Sequence, residues 1–297
     1  MASIERDIGI IIPYYQRTSG VLRRALQSIV DQREIDLSRV LVIVVDDQSP
    51  VPAESELPKA FSGLLIQLVK QINGGPGAAR NAGLDALSPS IEFVAFLDSD
   101  DLWISDHLAS AVSALSRCGT FFFSNFFQMN ADVPAFERAG RIRLNEHDRI
   151  SEDIYRYCGS MLDQIYSGNI IGTSTVVYMI KRHFDLRFDH RYRRAGEDYL
   201  MWSHFAADGA KFIFRSTPSV EYHEGVNIYS GVKWGTRAFL ERTGDELKYL
   251  RQALESFTLS PSTIHAIANR VRKLRSDYWH TFLSILVRKP ADLLPPR

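Results

Sequence analysis

The chain has 297 residues, 45% of them apolar, and its 35 Lys+Arg balance 35 Asp+Glu. That length supports one large core, or a main domain with a smaller appendage. Zero net charge argues against long-range attraction to nucleic acid, and two cysteines, Cys118 and Cys158, form neither a disulfide framework nor a thiolate metal site alone.

Glu5, Arg6 and Asp7 interrupt the N-terminus before any apolar run, so no secretory leader is expected. No stretch approaches the ~18 apolar residues of a membrane span, which makes a soluble intracellular chain the expectation. Ile8 to Ile12 reads as a buried, parallel strand ending at Pro13. A helix carrying Val21, Leu22, Leu26, Ile29 and Val30 follows the polar-aromatic Tyr14-Tyr15-Gln16-Arg17 loop. Val40 to Val45 is a second strand that runs into Asp46-Asp47-Gln48-Ser49-Pro50, and Pro50, Pro52 and Pro58 point to a loop with little regular structure. Leu64 to Val69 reads as a third strand. Asn73-Gly74-Gly75-Pro76-Gly77 is a sharp turn before a helix from Ala78 to Ala86, where glycines admit close ligand approach and a helix N-terminus favours an anion. The spacing matches neither a P-loop nor a dinucleotide fingerprint.

The fourth strand, Phe93 to Leu97, delivers Asp98-Ser99-Asp100-Asp101 at its C-terminal end, the edge where open α/β sheets bind ligands. Asp98 and Asp100 alternate around Ser99 and in extended backbone face one way, which suits a hard divalent cation. An acidic surface turn is the competing reading. A helix from Ser105 to about Arg117 follows, so the first 120 residues repeat strand and helix in an α/β pattern with a mostly parallel sheet.

The rest is less regular. Thr120 to Phe127 reads as a strand on which Phe121, Phe122 and Phe123 cannot share one face. Arg138 to Arg149 reads as a loop, Ser151 to Cys158 as a short helix, and Ile170 to Ile180 as a strand. Arg182 to Arg194 is aromatic, basic and non-helical, suited to an active-site border. A helix starts at Glu197-Asp198, where Asp198 reads either as a cap or as a functional carboxylate. Lys211 to Phe214 and Val220 to His223 read as two further strands. From Thr236 onward the pattern is helical, with Ser260-Pro261-Ser262 as a second helix start. Arg270, Arg272, Lys273 and Arg275 precede Tyr278, Trp279, Phe282, Leu283 and Leu286 there, which suits either packing on the main domain or a membrane surface.

Five segments together resemble the family 2 glycosyltransferases of GT-A fold: Ile11-Ile12-Pro13-Tyr14-Tyr15, Val45-Asp46-Asp47-Gln48-Ser49, Gly75 to Gly83, Leu97 to Asp101, and Gly196 to Trp202. The match covers about Ile8 to Gly225. It implies an α/β GT-A domain over 1–235, with a nucleotide-binding half 1–118 and an acceptor-side half 119–235, and a helical C-terminal extension over 236–297. It also implies a nucleotide-diphosphate sugar donor, Mn2+ or Mg2+, and direct displacement with inversion. On the matching positions, Pro13 and Tyr14 would border the nucleoside, Asp46 would bond the uracil with Asp47 as support, and Arg80 would contact base or phosphate. Asp98 and Asp100 would form the metal-binding DXD motif around Ser99, Asp198 would be the general base, and Glu197 would stand beside it. His223 reads equally as an added metal ligand or as an ordinary histidine. Trp202 is expected to pack its helix, whereas Trp103, Trp234 and Tyr229 are candidates for sugar stacking.

Within the family, the opening Ile11 to Arg17 and Val21 to Leu26 are similar to glucosyltransferases that assemble succinoglycan-type exopolysaccharide. That narrower likeness implies UDP-glucose as donor and a polyprenyl-diphosphate-linked oligosaccharide as acceptor at the inner face of the cytoplasmic membrane. Transfer of galactose, an N-acetylhexosamine or rhamnose to another glycan is the enzymatic alternative, and a non-catalytic carbohydrate-binding or scaffolding protein is the other. The Gln-x-x-Arg-Trp pattern of processive relatives is absent.

Overall fold

The computed structural model describes residues 6–57, 63–223 and 232–293. Its chain order begins β1 (Ile8–Tyr14), α1 (Val21–Val30), β2 (Val40–Asp46), α2 (Ala53–Glu56), β3 (Leu65–Lys70), α3 (Pro76–Asp85), β4 (Phe93–Phe96) and β5 (Leu102–Trp103). It continues α4 (His107–Cys118), β6 (Phe121–Phe127), α5 (Ala135–Ala139), β7 (Asp148–Arg149), β8 (Ile154–Arg156), α6 (Met161–Gly168), β9 (Val177–Met179), α7 (Glu197–Ala207) and β10 (Phe212–Glu221). Two long helices, α8 (Arg237–Ser256) and α9 (Pro261–Arg288), close the sequence of elements.

The strands form one sheet in the order β3-β2-β1-β4-β9-β6-β10-β8-β7, with β5 pairing β10. β1 pairs in parallel with both β2 and β4, so the chain winds outward to β3 and returns across β1. That reversal is a topological switch point, and it opens a crevice at the C-terminal ends of β1 and β4. β9 then pairs antiparallel with β4 and β6, which makes the sheet mixed. The period-2 alternation of the strands divides the core into two layers. Ile11, Ile43, Val45, Phe96, Phe121 and Phe123 pack on one face, and Ile10, Ile12, Val42, Val44, Leu97 and Phe122 on the other. The three consecutive phenylalanines are thus split as their alternation requires. Gly83 lets α3 cross β1 closely, since a Cβ there would lie 2.4 Å from Ile11 Cγ2.

Several elements differ from their sequence patterns. Residues 151–158 hold strand β8 instead of a helix, because buried Ile154 and Tyr155 complete the sheet beside β10. The Thr/Val run from Ile170 is a strand only over Val177–Met179; at 173–175 hydroxyls turn the backbone, with Thr175 Oγ1 donating to Gly172 O at 2.7 Å. The two expected late strands are one, β10, whose register shifts around Pro218, a residue with no N–H to donate. The proline-rich loop after β2 carries the single turn α2, and the 138–149 segment contains the two-residue β7. Cys118 is half-buried and Cys158 exposed, both as free thiols.

α8 and α9 pack against each other and onto the body through Tyr192, Leu200, Tyr249, Leu250, Ile267 and Leu274. Their starts are capped as the sequence pattern suggests: the Thr236 hydroxyl accepts from Phe239 N, and the Ser260 hydroxyl from Thr263 N at 3.3 Å. Among the described residues no helix is long and apolar enough to cross a membrane.

His107, at the start of α4, is fully buried; its Nδ1 pairs with Ser219 Oγ at 2.8 Å and its ring lies 4.8 Å from that of Trp103. Burial, with the Arg215 charge second, pushes the imidazole down from 6.5 to about 3. Between those values the unfolded chain holds more protons, so stability rises with pH and is lost as pH falls through 6.5 toward 3, by up to about 1.4 kcal/mol per pH unit. Urea midpoints of the parent are therefore expected to drop between pH 7 and pH 5 more than those of a folded His107→Gln variant. Equal drops would show that another group carries the acid sensitivity.

Candidate active site

A cleft of about 1370 Å³ opens at the switch point. Pro13, Tyr14, Asp47, Arg80, Asp98, Ser99, Asp100, Glu197, Asp198 and His223 all line it. Residues from distant stretches of sequence meet there because β1, β2 and β4 end at the same edge and α7 begins opposite them.

Arg80 is the electrostatic centre. It sits on α3 with 4% exposure, donates from Nη2 to Asp98 Oδ1 at 2.7 Å, and reaches Glu197 Oε1 from Nη1 at 3.4 Å. Its guanidinium also stands 5.2 Å over the Phe188 ring. Burial opposes the Arg80 charge, but Asp98 and Glu197 more than offset it, and its pKa lies above the ordinary guanidinium value. One guanidinium does not neutralise the surrounding acids. Burial, then the Asp98 charge, raises Asp100 to about 6, and burial, then Asp198, raises Glu197 to about 7. Asp198 is also raised, mainly by burial.

Asp101 has a different task. It is 2% exposed, accepts from Ser174 Oγ at 2.5 Å, and accepts from His223 N at 3.3 Å. It therefore fixes the backbone of His223 beside the acidic group. The His223 ring pairs through Nε2 with Glu221 Oε2 at 3.2 Å. Ser174 Oγ in turn accepts from Asp98 N at 3.0 Å, and Ser99 Oγ accepts from Gln16 Nε2 at 3.0 Å, so the DXD turn is held from both sides.

The residues present fit a hard dication that shares its coordination with a diphosphate. Asp98 and Asp100 offer carboxylate oxygens whose mutual repulsion Arg80 and Arg24 offset only in part. Among the described residues no group of three or more His, Cys, Asp or Glu converges as a self-sufficient cage. Mg2+ is held in many phosphate-transfer sites by one or two carboxylates plus phosphate oxygens and water, which needs no such cage.

The two aspartates at the end of β2 have different surroundings. Asp46 is still the last residue of the strand and turns inward, accepting from Ser49 N at 2.7 Å and Ala53 N at 2.8 Å. Asp47 faces the cleft and accepts from Gly74 N at 2.7 Å, Gly75 N at 2.9 Å and Gln71 Nε2 at 2.7 Å, tying the glycine turn to the strand end. Both carboxylates are buried, and of the two Asp47 lines the cleft. Tyr14 contributes to the cleft edge, but its ring is 1% exposed and belongs to the core.

Three of the tryptophans differ in setting from a sugar platform. Trp202 is fully buried among Phe96, Phe121 and Phe188, as a packing residue. Trp103 is 4% exposed and donates from Nε1 to Ser174 O at 2.7 Å, so it has no face to offer a sugar and instead braces the loop under Asp98. Trp234 is exposed just ahead of α8, outside the residues that line the cleft. Tyr229 lies outside the described residues.

Sequence reasoning missed the C-terminal wall. Lys248 of α8 and Tyr278 and Phe282 of α9 line the cleft together with Arg191, Arg193 and Arg194. Only the basic 182–194 border carried a signal. Arg193 hydrogen-bonds Asn73 across the glycine turn, and Arg194 pairs with Glu241 of α8 at 3.3 Å.

The profile of the family described as Glycosyl transferase family 2 matches residues 9–185. The chain belongs to glycosyltransferase family 2. The succinoglycan biosynthesis protein ExoW of Rhizobium meliloti (strain 1021) is 31% identical to this glycosyltransferase over 247 residues, covering 78% of this chain and 74% of the relative. The amylovoran biosynthesis glycosyltransferase AmsB of Erwinia amylovora is 29% identical over 228 residues, covering 73% and 69%. In fold, the glycosyltransferase is similar to the mannosyltransferase PcManGT of Pyrobaculum calidifontis, solved with GDP-Man and Mn2+, at a TM-score of 0.63 and 17% identity over 99% of this chain and 78% of that one. S. aureus TarS 1–349, solved with UDP-GlcNAc, gives 0.62 at 17% identity over 96% and 74%. Membership makes this an enzyme that transfers a sugar to a glycan acceptor with inversion. The matched span includes Arg80, Asp98 and Asp100 and ends before Glu197 and Asp198, so α7 enters the site on geometry.

Proposed function

We propose that this glycosyltransferase moves glucose from UDP-glucose, with Mn2+ or Mg2+, onto a growing lipid-linked exopolysaccharide repeat unit at the inner face of the cytoplasmic membrane. The observation that carries the chemistry is the single buried Arg80 shared by Asp98 and Glu197, with Asp100 and Asp198 in the same cleft. Two relatives named for succinoglycan and amylovoran biosynthesis support the polysaccharide acceptor. Galactose, an N-acetylhexosamine or rhamnose remains the alternative sugar.

In this reading Asp47 and Pro13 border the nucleoside, while Asp98, Asp100 and His223 would hold the metal, which would lower the cost of charge developing on the departing diphosphate. Arg80 holds Asp98 in place and faces the diphosphate. Asp198 takes the proton of the acceptor hydroxyl as its oxygen forms a bond to the anomeric carbon. The bond from that carbon to the diphosphate breaks on the opposite side, its electron pair leaves with the diphosphate, and configuration inverts. A buried carboxylate with a raised pKa is the better proton acceptor, which suits Asp198. Glu197 acts through Arg80 as a positioning residue, and residues 1–235 form the catalytic domain with 236–297 as its extension.

Calorimetric titration of UDP-glucose, UDP-galactose, UDP-N-acetylglucosamine, GDP-mannose and TDP-rhamnose, with Mn2+ and with chelator, tests the donor. Metal-dependent preference for UDP-glucose is expected, weakened in His223→Ala. Preference for another nucleotide sugar would discard glucose and keep the site; metal-independent binding would remove the metal role.

A further inference from the structure

The last turns of α9 expose an apolar stripe that sugar transfer in the cleft does not use. Trp279, Leu283 and Leu286 are 58%, 53% and 48% exposed. At helical spacing they fall on one line, and Arg272 and Arg275 extend that line toward the helix start. The opposite side, Leu274, Thr281 and Ile285, is buried. In a chain with no net charge, residues 270–289 contain Arg270, Arg272, Lys273, Arg275, Arg288 and Lys289 against Asp277 alone. Arg270 is committed to Glu246 at 2.7 Å, whereas Arg272 bonds the neutral amide oxygen of Asn269 at 2.8 Å. Tyr278 and Phe282 of the same turns stand in the cleft wall, so the stripe adjoins the mouth of the site.

We propose that this face of α9 docks on an anionic lipid surface, with Trp279, Leu283 and Leu286 in the head-group boundary and Arg272 and Arg275 over the lipid phosphates. Tryptophan favours that boundary, and basic residues beside an apolar stripe gain from the negative surface potential. A second copy fits the stripe less well, because a two-fold contact would set the same cations against each other. Docking places the cleft where a lipid-linked diphosphate stands, and for that purpose the proposal rests on the acceptor reading above.

Flotation of the full chain with vesicles of phosphatidylcholine, alone and mixed with phosphatidylglycerol, tests it. Binding to the mixed vesicles is expected, reduced about tenfold by Trp279→Ser with Leu283→Ser and weakened by added salt. Both side chains are exposed, so the thermal midpoint should not move. Arg272→Glu with Arg275→Glu is expected to abolish the preference for phosphatidylglycerol. Absence of binding, equal binding by these variants, or a dimer that the Trp279/Leu283 variant dissolves would overturn the proposal. Turnover of donor on a soluble acceptor fragment separates the two readings: docking lost with turnover intact removes only the membrane surface, and docking intact with no sugar transfer removes only the acceptor reading.

Discussion

Asp198→Asn is expected to lower transfer by about 10²–10⁴-fold while donor affinity stays unchanged. The substitution is a clean one for structural reasons. The N-cap of α7 is Gly196, with φ at 102°, so Asp198 is not the residue that starts the helix. Its Oδ1 accepts from Tyr199 N at 2.8 Å, and an asparagine oxygen can take the same bond. Gly196 itself is fixed by packing, since a Cβ there would lie 2.1 Å from Tyr249 Cδ1, and α8 thereby holds the first turn of α7 in register with the cleft. The variant therefore keeps the fold and loses only a group able to take a proton. A fall in kcat with the donor's dissociation constant intact is the expected pattern. Normal turnover in the folded variant would leave the acceptor hydroxyl without this base.

Arg80→Ala is expected to cost about 3–5 kcal/mol of stability, because it leaves the buried Glu197 and the half-buried Asp98 without their shared cation. Asp98 loses its 2.7 Å partner and Glu197 its 3.4 Å one. Glu197, already raised to about 7, protonates readily and softens the loss, whereas Asp98 and Asp100 face each other across the DXD turn. Arg80→Lys separates folding from function. It retains the charge, so most of the stability should remain, yet an ammonium lacks the planar fork that reaches Asp98 and Glu197 at once. Urea unfolding of both variants, beside their turnover, checks the expectation. If Arg80→Ala unfolds at the parent's midpoint, the pairing does not hold the site; if Arg80→Lys turns over like the parent, the fork has no role in transfer.

Much of the site was legible because its residues stand at strand ends. Apolar runs stop at Asp46 and at Asp98, and those stops are the sheet edge. What alternation does not tell is where the strand ends to within one residue. β2 extends through Asp46, which pairs with Tyr14 and Lys70 across the sheet and points inward, so the next aspartate reaches the cleft. Trp103 is a sugar-stacking candidate in the sequence alone. It is instead part of β5, pairing with Val220, and its ring closes the core over His107. The helix expected at 151–158 failed for a related reason: sheet pairing with β10 outweighed the weak helical pattern of a short segment. The wall built by α8 and α9 had no local signature. It depends on Tyr249 meeting Tyr199 and on Tyr192 bonding Gln252 at 2.7 Å, contacts between segments some fifty residues or more apart.

We propose metal-dependent sugar transfer to a lipid-linked acceptor in the cleft between β4 and α7. Its most direct test is turnover of UDP-glucose by the full chain on a lipid-extract acceptor, with Mn2+, Mg2+ or chelator, followed by the anomeric configuration of the extended product. Metal-dependent extension with a newly formed β-linkage is the expected result. Extension that persists in chelator, or a product that retains the donor's α configuration, would contradict the account.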